Sequence, residues 1–235
     1  METALVTPAR YVSVVALTLL LLFIAYLVVL RRSTTTERMT LMAVPIVALA
    51  GVAFALYFFS GIWIRHATIT LTALGMWVYT EELYRFTHEP GRYHQFSLEH
   101  LAGLLSMAAL AGAMAGVFGL RIFLDVRLIY LLPLTFLATI IVSASVLAVQ
   151  PLARKFLWSS TAVLAILITE TAWAVYFLPT HYWVDSLIVT IPFYVSLNLM
   201  RHELSGTLDR QHIQRYAAVG IITMGIVLTT AQWVL

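Results

Sequence analysis

The chain has 235 residues, of which 61% are hydrophobic and 11% charged, with a formal net charge of +3 and no cysteine. A soluble domain carries about 25% charged and about 45–50% apolar residues, so this composition excludes a water-soluble globule and makes lipid the solvent for much of the surface. Without cysteine, disulfides, thiolate metal sites, cysteine nucleophiles and iron–sulfur ligation are excluded as well.

A helix needs about 20 apolar residues to cross the hydrocarbon core. Eight runs are candidates: 11–30, 40–60, 62–80, 98–120, 126–149, 155–178, 182–200 and 215–235. They predict an all-α integral membrane protein, a polytopic bundle of about eight transmembrane helices forming a single domain over 1–235, with no large soluble domain. Seven spans is the alternative count, because Arg65, His66 and Asp185 sit near the ends of the third and seventh runs. The first run does not read as a cleavable signal peptide, since Arg31 and Arg32 follow it rather than precede it.

Along the chain the punctuation is that of helices. Thr34-Thr35-Thr36-Glu37 fits a capping box before the second run. Gly51 and Ala55 on the second run, and Ala108, Gly112 and Gly116 on the fourth, form small-residue stripes that let helix backbones approach. Pro45, Pro133 and Pro192 fall inside runs and predict kinks. Pro90-Gly91 predicts a turn in the longest polar loop, 81–97. His88, His94 and His100 in and beside that loop match no zinc spacing and read as a solvated segment, so no metal or other cofactor is expected.

Basic residues set the expected orientation. With eight spans, Arg31, Arg32, Arg38, Arg85, Arg92, Arg154, Lys155, Arg201, Arg210 and Arg215 fall on one side, and Arg10, Arg65, Arg121 and Arg127 on the other. The positive-inside rule places the richer side in the cytoplasm of a cell (inner or plasma) membrane, with both termini outside. The basic residues are orientation signals rather than a nucleic-acid patch. Lys155, the sole lysine, stands at the start of the sixth run. That position argues against a retinal protein, which needs a lysine deep in a late span.

The polar residues inside the apolar runs gather on the outer side of this topology. Glu170 lies eight residues before Leu178 at the end of the sixth run, about 12 Å below it at 1.5 Å per residue. An acid at that depth usually faces the protein interior or a wet cavity. His181 and Asp185 are four residues apart and share one helix face near the same surface. Asp185 in such a place complements a helix dipole, or orients His181 and raises its basicity. Arg65 and His66 open the third run on the same side, as interfacial anchors or as an anion fork.

The stretch "THYWVDSLI" (180–188) resembles the last motif of the phosphatidic acid phosphatase type-two superfamily. In that motif a His precedes an Asp by four residues at the start of an outward-facing membrane helix. The resemblance implies His181 as nucleophile toward a lipid phosphate and Asp185 as its orienter. The superfamily's Lys/Arg-Pro and Pro-Ser-Gly-His signatures are absent from this chain.

The leading expectation is a multi-pass protein with an outward-facing polar pocket that binds or translocates a small or lipidic ligand, lined by Glu170, Arg65, His66, His181 and Asp185. A non-catalytic subunit or scaffold, with a membrane-protein partner or a second copy of the chain, is one alternative. A membrane-embedded enzyme acting on lipids or lipid phosphates through a catalytic His181–Asp185 pair is the other.

Overall fold

In a computed structural model, which describes residues 8–30, 35–59, 61–89, 97–149 and 154–231, the described residues form a bundle of eight helices. They are α1 (Pro8–Val29), α2 (Thr35–Phe58), α3 (Ile62–His88), α4 (Ser97–Leu124), α5 (Leu128–Ala148), α6 (Arg154–Val175), α7 (Tyr182–Leu204) and α8 (Arg210–Thr230). Seven are long and apolar enough to cross a membrane, which makes the chain a multi-pass membrane protein. The exception is α3, whose first turn carries Arg65 and His66 and whose last two turns carry Glu81, Glu82 and Arg85. The caps and turns expected at Thr34–Glu37 and Pro90-Gly91, and His94, lie outside the described residues or side chains.

Several helices run past their apolar cores. The third continues through His88, where a loop from 81 was expected. Arg85 pairs with Glu81 and, at 3.0 Å, with Glu82, the i,i+4 and i,i+3 spacings that hold a solvated helix end together. Ser97 Oγ then donates to Glu82 Oε2 at 2.7 Å, tying the start of α4 to the end of α3. At its far end α4 extends to Leu124 and carries Arg121 in its last turn. The last helix begins at Arg210, with the Asp209 carboxylate accepting the Arg210 backbone N–H as its cap.

The hub is α4, which packs on α2, α3, α5 and α7. Its contact with α2 is backbone to backbone. A Cβ on Gly51 would collide with the Ala109 carbonyl oxygen, and one on Gly112 would lie 2.6 Å from the Gly51 carbonyl oxygen. Further along, Gly116 and Gly119 leave room for the rings of Phe54 and Phe58. The stripe therefore runs Ala109–Gly112–Gly116–Gly119. Ala108 is exposed, because a helix repeating every 3.6 residues keeps one line only by alternating steps of three and four. Pro45, Pro133 and Pro192 all sit within continuous helices.

Burial falls away from this hub. The α4 span is 67% buried within the bundle and the α1 span 6%, while Gly220 is the buried residue among those described on α8. The outer helices turn their isoleucines, leucines and valines outward, as a surface facing lipid rather than water does. The first helix is fastened by Tyr26, whose hydroxyl lies 2.8 Å from Thr80 Oγ1. Tyr79 Oη reaches across to donate to the Leu41 carbonyl at 2.9 Å.

Candidate functional site

One end of the bundle brings together the end of α4, the α6–α7 turn and the start of α7. The turn follows from its sequence: Pro179 disfavours helical backbone at Leu178 and separates the two helices. His181 is the N-cap of α7 in extended conformation, without a side-chain cap bond. Thr180 and Asp185 then occupy the residue before the cap and the fourth helical position, where an apolar staple usually joins a helix start. Here the staple is polar, with Thr180 Oγ1 donating to Asp185 Oδ1.

Asp185 is 0% exposed. Its second oxygen, Oδ2, faces Arg121 Nη1 at 3.9 Å, an ion pair too long for a hydrogen bond. The guanidinium of Arg121 lies over the ring of Tyr176, 4.3 Å from its centroid. Among the described residues neither Asp185 Oδ2 nor Arg121 Nη1, both buried atoms, has a hydrogen-bond partner. An ion pair whose facing atoms are buried with hydrogen-bonding capacity left on both members is uncommon in a folded protein.

Arg65 has a different task. Its Nε donates to the carbonyl of Phe59, while Tyr182 Oη donates to the carbonyl of Phe58 at 3.2 Å. Between them they satisfy carbonyls at the end of α2, which the helix itself leaves open. An aromatic layer packs around this cap: Phe58 stacks on Phe123 at 5.7 Å, Phe123 meets Tyr182 edge-on at 5.6 Å, and Phe59 lies 3.9 Å from Trp183.

The other expected site residues stand apart from the charge pair. Glu170 is exposed on α6, and His66 is exposed in the first turn of α3. The His181 ring is exposed and leans on Tyr182 at 4.2 Å. Partial desolvation holds its pKa below the ordinary imidazole value, so it is neutral at pH 7. It is linked to Asp185 by backbone, the Asp185 N–H donating to the His181 carbonyl at 3.1 Å. Asp185 offers one oxygen to Thr180 and the other toward Arg121, so its carboxylate is not arranged to orient that imidazole.

Arg121, Tyr176 and Thr180 were not among the expected ligand residues. Arg121 falls just past the end of the fourth apolar run and so reads as a loop residue, whereas α4 continues through it. Among the described residues no three of His, Cys, Asp or Glu gather as a metal site would require. A separate cavity of about 300 Å³ between α2, α4 and α5 is lined by Val47, Ala50, Phe54, Ala113 and Ile141, and is apolar.

At the opposite end of α7, His202 places Nδ1 3.0 Å from Thr207 Oγ1 and Nε2 3.3 Å from Tyr216 Oη, with the His212 ring 4.3 Å away. Arg201 reaches past Gly103 to donate to the Glu99 carbonyl at 3.1 Å. These contacts fasten α7 to α8 and to α4.

No curated protein and no solved structure matches the chain. The family model of a protein of unknown function, DUF5656, matches residues 94–230, which is more than half of the chain and includes α4 to α8 with the whole Arg121–Asp185 pair, and the chain belongs to that family.

Proposed function

We propose that the protein binds a small or lipidic ligand at the end of the bundle where α4, the α6–α7 turn and α7 meet, with Arg121 and Asp185 as the binding groups. The observation that carries this reading is the buried, incompletely hydrogen-bonded pair, Asp185 Oδ2 facing Arg121 Nη1 at 3.9 Å. Ionisable groups in membrane spans are costly and usually serve a ligand, an ion or a proton. A pair with a free donor and a free acceptor has something left to offer one. With eight crossings, the positive-inside expectation would favour this end lying outside the cytoplasm.

A catalytic His181–Asp185 pair draws less support, since the Asp185 carboxylate is engaged elsewhere. Native mass spectrometry of the full chain released from mild detergent tests the proposal. The wild type is expected to carry a bound ligand that the R121L/D185L double variant lacks. The same adducts on both proteins would refute it.

A further inference from the structure

Resting on that ligand-binding reading, we infer that the group recognised between Arg121 and Asp185 is a neutral hydroxyl, so that the ligand presents a sugar or polyol head group rather than a phosphate or a carboxylate. Among the described residues, the buried atoms of the pair left without a partner are one donor, Arg121 Nη1, and one acceptor, Asp185 Oδ2. A hydroxyl both accepts and donates through a single oxygen. At 3.9 Å the two atoms are close enough for one oxygen to lie about 2.8 Å from each.

Charged groups fit less well. A phosphate or carboxylate oxygen accepts from Arg121 but brings a like charge against the fully buried Asp185 carboxylate. An ammonium group donates to Asp185 but meets the guanidinium. The pair is neutral overall, and the face of the guanidinium over Tyr176 is already covered. Thr180 occupies the other carboxylate oxygen, which leaves Oδ2 to take the incoming proton donor.

Depth in the bilayer favours a head group carried on a lipid. Arg121 is three residues from the end of the α4 span and Asp185 three residues from the start of the α7 span. At 1.5 Å per residue both lie about 5 Å inside the span ends, at the level of head groups. Trp173, in the last turn of α6, is exposed, as tryptophans at a membrane interface are.

The test uses the full chain in phosphatidylcholine nanodiscs, with native mass spectrometry and thermal unfolding as readouts. Three probes are compared: monoglucosyl diacylglycerol, phosphatidic acid with the same acyl chains, and free glucose. The R121L/D185L variant serves as the folded control, because replacing both members of a buried pair with apolar residues often leaves stability unchanged. Expected is retention of the glucosyl lipid by the wild type at least about tenfold over phosphatidic acid, with the preference lost in the double variant. Stabilisation by the glucosyl lipid alone assigns a lipid head group; equal stabilisation by free glucose assigns a soluble polyol, and both support the hydroxyl. Preference for phosphatidic acid that the double variant abolishes overturns the hydroxyl and leaves ligand binding standing. No difference between wild type and double variant with any probe overturns both.

Discussion

Removing Arg121 alone is the most informative perturbation of the fold. In Arg121→Leu the Asp185 carboxylate keeps Thr180 but loses the cation that faces it, while remaining 0% exposed. Breaking a buried pair by deleting one partner costs about 3–5 kcal/mol, most of it from the stranded charge. Arg121 is itself 26% exposed, and the pair sits near the bundle's end, so the lower figure, about 3 kcal/mol, applies. For a chain of this length that is a fall of about 6–12 °C in melting temperature. Asp185→Leu strands the guanidinium instead, which can turn toward water, so it costs less. The double variant is expected to unfold close to the wild type. Thermal unfolding of all four proteins in one detergent gives the coupling, expected at about 3 kcal/mol or more because the double variant recovers what the single variants lose. Additive losses within about 0.5 kcal/mol would refute the reasoning, because the two side chains would then not sense each other.

Gly112→Ala is expected to prevent close packing of α2 on α4, since its Cβ would meet the Gly51 carbonyl oxygen at 2.6 Å and backbone cannot give way cheaply; Gly225→Ala, in open space, is the neutral comparison, and folded yield with melting temperature reads both. Glu170→Gln should change stability by no more than about 0.5 kcal/mol, because the side chain is exposed; a larger loss in thermal unfolding would mean that it has a partner. His181 should titrate by NMR below the ordinary histidine value of about 6.5. With its folded pKa lowered, the unfolded chain binds the proton more tightly, so stability is full above pH 6.5 and declines as the pH falls through that value. His181→Gln should flatten that decline, and an unchanged pH profile would assign it to other groups.

Much of the fold is legible in residue order. The charge-poor composition demands lipid, and runs of about 20 apolar residues become the helices that cross it, because a backbone without water must bond to itself. Gly51, Gly112 and Gly116 mark the α2–α4 contact by residue type alone, since small residues have little use in a membrane helix except close approach. Helix ends are harder to read. The 81–88 segment looks like loop by its charges, yet those charges pair along one helix face.

What the sequence by itself determined, then, is the medium, the helices and the presence of costly polar residues near one end. Only the tertiary structure decided which of those residues meet. Glu170 and Asp185 look alike in sequence, both acids in apolar surroundings, but one faces outward and the other is sealed against α4. Spacing along a chain fixes a residue's height and angle on its own helix. Whether a second helix stands opposite, and whether it brings Arg121 or only lipid, depends on how α4, α6 and α7 pack. That long-range choice sets the partner of Asp185, and so whether it aligns His181 or faces a guanidinium.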